Sequence, residues 1–171
     1  YYTKFPNWDT MLHTMNGFLA AAIGFSLVDL LNTDSRIKFS LSPVYMSIAA
    51  FCFSMTVGVF WEFFECAMDL YLHVDMQKDT IINSISTIML DPAGGTKVYH
   101  IPDIQEVYIN VQPLGLGGYL DIGLLDTMED LFVNFIGAFV FSILGFFYIK
   151  NRGKGTFAKR FIPHRKNHEE K

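Results

Sequence analysis

Three long apolar runs dominate the chain, and polar residues gather at their ends. The first, Met11 to Leu31 (MLHTMNGFLAAAIGFSLVDLL), contains His13 and Asp29 as its only ionisable residues. The second, Pro43 to Phe64, meets none between Lys38 and Glu62, and the third, Leu131 to Ile149, has none and stops at Lys150-Asn151-Arg152. Each run is near the ~20 residues needed to cross ~30 Å of hydrocarbon, and each is continuously apolar instead of showing the stripe of an amphipathic soluble helix. The pattern predicts an all-α membrane protein, a bundle of three transmembrane helices. Pro6 and Asn7 suit a helix start, Trp8 suits the membrane interface, and Pro43 is tolerated in a first helical turn. The second helix is expected to continue through Trp61-Glu62-Phe63-Phe64-Glu65 to Leu70 as it leaves the bilayer.

The connection from His73 to Leu125 is too long for a plain loop. Partial alternation and β-branched residues between Lys97 and Val111 predict one or two short strands, and Asp91-Pro92-Ala93-Gly94-Gly95 and Gly115-Leu116-Gly117-Gly118 read as turns. The expected organisation is a membrane domain over residues 1–149, a small mixed extramembrane insertion of helix and hairpin at 73–125, and a basic tail at 150–171. Tyr1 opens the chain close to an apolar helix without a signal-peptide pattern. The chain is therefore expected to be a fragment of a larger bundle, with further helices before it.

Charge adds an orientation. The net charge of −4 hides a tail rich in Lys and Arg and a connection with only Lys78 and Lys97 against several acids. Basic residues stay on the cytoplasmic side, so Arg36, Lys38 and the tail are expected inside, and the insertion outside. This distribution gives nucleic-acid binding no support. Cys52 and Cys66 stand ~21 Å apart along one helix, too far to bridge.

Each span carries a polar stripe at helical spacing. Asp9 and His13 are four apart. Glu62, Glu65 and Asp69 are spaced three and four, and Asp126, Asp130 and Asn134 are four apart. The topology puts all three stripes at the same end of the bundle. Carboxylates beside apolar spans are costly unless paired, neutralised or bound to a cation, and only Lys4 and Lys78 are placed to pair with them. His13, Glu62, Glu65, Asp126 and Asp130 are thus candidate ligands of a divalent metal ion, with Asp9, Asp69 and Asn134 in support. An oxygen-rich set with one imidazole suits Mg, Mn, Fe or Zn without choosing among them. The plainer reading is that Asp9 and Asp126 cap helix starts, that His13 is a hydrogen-bonded structural residue, and that the Glu62 stripe is solvated. Gly17, Gly24, Gly58, Gly137 and Gly145 read as helix-contact positions.

The motifs Trp8-Asp9-Thr10-Met11-Leu12-His13, Trp61-Glu62-Phe63-Phe64-Glu65, Asp75-Met76-Gln77-Lys78-Asp79-Thr80 and Asp126-Thr127-Met128-Glu129-Asp130-Leu131, through Asn134 and Gly137, resemble the YjdF-like family of bacterial inner-membrane proteins. The order Asp-x-x-x-His, a helix-borne Glu pair, then Asp-x-x-x-Asp-x-x-x-Asn-x-x-Gly is more faintly similar to VanZ-like membrane proteins, without their Gln-bearing second-helix pattern. The resemblance implies a multi-pass protein of the bacterial inner membrane. Neither family supplies a residue-specific chemistry. Beside a metal-dependent hydrolase acting on a lipid or a peptidoglycan-related envelope substrate stand two alternatives. One is a proton- or cation-coupled transporter, and the other is a structural or partner-binding subunit without catalysis. Whether the chain is an enzyme is left open by its residues, which include no Gly-x-Ser-x-Gly nucleophile motif.

Overall fold

A computed structural model of the chain describes residues 7–32 and 40–151. Lys4, Arg36, Lys38 and the basic residues beyond Asn151 lie outside the described residues. Among the described residues there are three helices, α1 (Trp8–Asn32), α2 (Pro43–Leu72) and α3 (Leu124–Lys150). All three are long and apolar enough to cross a membrane, as the apolar runs require. Two short-range signals set the start of α2, because Ser42 Oγ accepts the Tyr45 N–H at 3.2 Å and Pro43 occupies a first-turn position where no N–H is missed.

The chain forms two compact units. The first comprises Tyr1–Phe64 with Glu129–Lys171, and the second Glu65–Met128. In the first unit each helix buries residues at helical spacing, and α1 is buried more widely between Ala20 and Ser26. His13, Gly17, Ala21 and Gly24 are buried on α1, Ala50, Ser54 and Glu62 on α2, and Asp130, Asn134, Gly137 and Phe141 on α3. The apolar core is built around Phe25, Met46, Ala50, Ala138 and Phe141, with Phe141 edge-on to Phe18 and Phe25 at 5.1 and 6.0 Å. The opposite faces carry large apolar side chains outward, among them Ile23, Ile48, Phe60 and Phe139. Such an inside-out arrangement suits lipid and would be costly in water.

Close approach of the helices depends on glycine. A Cβ at Gly17 would collide with the backbone of Asn134, and one at Gly137 with the Thr14 carbonyl and the Phe18 N–H. These two contacts are reciprocal across α1 and α3. Gly24 faces Phe53, Gly58 faces the Asn134 side chain, and Gly145 faces the Phe25 ring, so all five glycines stand at helix contacts.

The second unit holds the insertion. Its strands are β1 (Ile81–Ile82), β2 (Ile85–Thr87), β3 (Tyr99–Ile101), β4 (Tyr108–Ile109), β5 (Gln112–Pro113) and β6 (Tyr119–Leu120). They pair antiparallel as β1 with β6, β2 with β3 and β4 with β5. The sequence suggested strands within 97–111, and β3 and β4 lie there; the other strands are two or three residues long and carry no readable alternation. The helical part of this unit is supplied by the ends of α2 and α3. None of the buried apolar residues of the described chain lies in it, and carboxylates do the fastening instead. Asp121 accepts from the N–H groups of Thr80, Gly123 and Leu125, Glu106 from those of Val107 and Gly115, and Asp91 from those of Ala93 and Lys97. The acidity of the insertion therefore has a structural use.

Candidate metal centre

The site is assembled from one end of each helix in the first unit. His13 lies one turn after Asp9 on α1, Glu62 is brought in by α2, and Asp130 by α3. The imidazole stands between carboxylates. Its Nε2 is 3.3 Å from Asp130 Oδ2 and 3.8 Å from Asp9 Oδ1, while its Nδ1 is 3.8 Å from Glu62 Oε1. One donor atom from each of His13, Glu62 and Asp130 lies within 4.8 Å of the other two. These residues are only 8%, 4% and 3% exposed. Such burial argues against a merely solvated stripe.

The separations bear on what the group can hold. At 3.8 Å a carboxylate and an imidazole are beyond a direct hydrogen bond, yet an ion with bonds of ~2.0–2.2 Å fits between donors at that spacing. Nδ1 faces Glu62, and Nε2 faces Asp130 and Asp9. Cationic His13 beside three carboxylates is an equally ordinary electrostatic arrangement.

Polar contacts continue one turn along the helices from the cluster. Ser54 Oγ donates to the Gly17 carbonyl at 2.7 Å, tying α2 to α1. The Asn134 side chain packs against Gly58, with its Nδ2 3.6 Å from Met55 Sδ. Ser54 and Gly58 were not singled out as site residues, although their spacing of eight and four before Glu62 puts them on its face of α2.

The remaining sequence candidates fall in the second unit. Glu65 follows Glu62 by three residues on α2 and is itself 6% exposed, which extends the buried acidic face of that helix. Asp69 accepts the N–H groups of Met76 and Gln77 at 2.7 and 2.8 Å, closing the turn that ends α2. Asp126 accepts the Lys78 N–H at 3.0 Å and pairs with its ammonium at 3.5 Å. Lys78, expected as a partner for the cluster, pairs with Asp126.

Two groups in this unit titrate away from the ordinary carboxylate range. Burial pushes Asp121 upward, but its backbone N–H donors outweigh this and hold the carboxyl below the usual value. Asp79 is raised, first by desolvation and then by the nearby charges of Asp75, Asp121 and Asp69.

No curated protein and no solved structure matches the chain, so the fainter likeness to VanZ-like proteins has no matched relative behind it. A family described as "Predicted membrane protein (DUF2238)", the YjdF-like family, matches residues 1–151. That match takes in all three helices, the insertion and the His13 cluster, and the chain belongs to this family of membrane proteins.

Proposed function

We propose that the chain binds a divalent cation between His13, Glu62 and Asp130, one ligand from each membrane helix, and uses it hydrolytically on a lipid or other cell-envelope substrate. The observation that carries the first step is the convergence of three buried donors within 4.8 Å. A cation among them offsets the cost of placing carboxylates at the end of apolar helices. It would supply Lewis acidity, polarising a substrate oxygen or lowering the pKa of a water. Asp9, whose side chain is 23% exposed, is the carboxylate best placed to take a proton from the side open to substrate. The Lys and Arg asymmetry supports a site in the outer leaflet of the bacterial inner membrane, with the C-terminus in the cytoplasm.

Metal analysis of the detergent-purified protein tests the binding step. About one equivalent of a single divalent metal is expected per chain, and His13→Ala and Asp130→Ala should each lose most of it. A folded parent that contains no metal after growth in supplemented medium, and takes none up from added Mg, Mn, Fe or Zn, would reject the proposal.

A further inference from the structure

The inward stripe of α1 is used within the chain, where Gly17 meets Asn134 and Ser54 and Gly24 meets Phe53. On its outer side Leu12, Asn16, Leu19 and Ile23 follow one another at spacings of four, three and four, and Leu27 lies one turn further on. That is the rhythm of the a and d positions in a seam between two helices. Asn16 is exposed, and Leu19, Ile23 and Leu27 are 43% to 56% exposed, so none of the described residues covers this side.

Asn16 sets this side apart from an ordinary lipid-facing surface. The helix runs from Trp8 to Asn32, so its middle falls at Ala20, and Asn16 stands one turn away, ~6 Å by helical rise. That is inside a hydrocarbon layer ~30 Å thick. The carboxamide carries two N–H donors and an acceptor oxygen. Thr14, Ser47 and Thr56 satisfy their hydroxyls by donating to the carbonyl four residues back, whereas the Asn16 side chain makes no hydrogen bond among the described residues. An acyl chain offers it no partner, and an unsatisfied polar group in hydrocarbon is costly. Whatever covers Asn16 must therefore bring both a donor and an acceptor to its depth.

We infer that the outer side of α1 is the interface of a homodimer, in which the Asn16 amides of two copies hydrogen-bond to each other. A two-fold axis along the membrane normal holds equivalent residues of two copies at equal depth, and a two-fold interface is self-complementary. An amide is its own complement, since each Asn16 donates to the carbonyl oxygen of the other while accepting from its N–H. A single Asn at a seam position otherwise lined by Leu and Ile is also the device that fixes register and partner number in helix pairs. Leu12, Leu19 and Ile23 then pack around the amide pair and exclude lipid from it. This inference does not depend on a metal at the His13 cluster.

The test uses the full chain in lipid vesicles, with dimerisation followed by energy transfer between labelled copies as the protein-to-lipid ratio is varied. Asn16→Leu should keep the melting temperature of the monomer, because the amide bonds to nothing within the described chain, and should weaken dimerisation roughly three- to tenfold, the worth of an interhelical hydrogen bond in a membrane. Asn16→Gln, which keeps the amide, should retain more of the dimer than Asn16→Leu. In a background with Cys52→Ser and Cys66→Ser, oxidation should cross-link Ile23→Cys into a covalent dimer and leave Phe139→Cys, on the exposed face of α3, monomeric. A parent that stays monomeric at high protein-to-lipid ratio, whether lipid or an unrelated helix covers α1, would overturn the inference. So would an Asn16→Leu variant that dimerises as well as the parent, or cross-linking at Phe139→Cys equal to that at Ile23→Cys.

Discussion

Gly17, Gly58 and Gly137 set how near the three helices come at the depth of the His13 cluster. Gly17 and Gly137 meet backbone atoms of the facing helix, which cannot turn aside, whereas Gly58 meets the Asn134 side chain. Gly17→Ala and Gly137→Ala are therefore expected to lower stability in detergent by ~1–3 kcal/mol, the range for overpacking a close contact, and Gly58→Ala by less. Thermal unfolding of the purified variants measures this, and an Ala at Gly17 without effect would mean that the α1–α3 contact is loose. These glycines could be read from the sequence as contact positions because they lie on the same helical faces as the polar stripes. Their partners could not, since which residue stands opposite depends on helix register and crossing, which no spacing within one helix specifies.

The insertion shows how an element can be acidic for structural reasons. Asp121 ties the chain before α3 to Thr80 and to the first turn of α3, and its loss should cost ~1–3 kcal/mol, as for other buried hydrogen-bonded groups left without an acceptor. Because its folded pKa lies below the unfolded ~3.9, its contribution is complete above the unfolded value and is lost as pH falls through the folded one. Asp79 has the opposite sign, since its raised pKa favours the folded state in acid and that benefit fades as pH rises through the folded value. Asp121→Ala should thus loosen the insertion at neutral pH, seen as faster amide exchange at Ile81, Ile82 and Leu120, while Asp79→Asn should slow that exchange. Equal exchange in both variants and the parent would remove these carboxylates from the account. The three helices were legible because a run of apolar residues has one cheap solution in lipid. The strands were only partly so, because they are too short to show a period and their pairing, as of Ile81 with Leu120, joins residues distant in sequence.

For the whole molecule, the stripes that predicted a shared site also carry residues that hydrogen-bond to the backbone after α2. His13, Glu62 and Asp130 meet, as spacing and depth implied, whereas Asp69 and Asp126 fasten the turn at Met76–Lys78. Helical spacing puts carboxylates on one face without revealing which of them a nearby backbone N–H will claim. Orientation is a separate expectation from the basic residues: a cysteine at Gly94 should react with a membrane-impermeant thiol reagent on intact cells, and one at Gly155 only after the membrane is opened. The reverse pattern would put the His13 cluster at the cytoplasmic face.

Ligand binding to the folded state must raise its stability, by ~2.7 kcal/mol when the free ion is a hundredfold above its Kd. Chelator should remove that increment, and substitutions in the cluster should abolish the response if the ion is held there. The measurement is the melting temperature in detergent, with and without chelator, of the parent, His13→Ala, Glu62→Ala and the double variant. The account predicts that chelator lowers the melting temperature of the parent, that each single variant loses most of this response, and that the double variant loses little more than either single one. A parent indifferent to chelator and to added divalent ions, with the two substitutions acting additively, would contradict a metal centre at His13, Glu62 and Asp130.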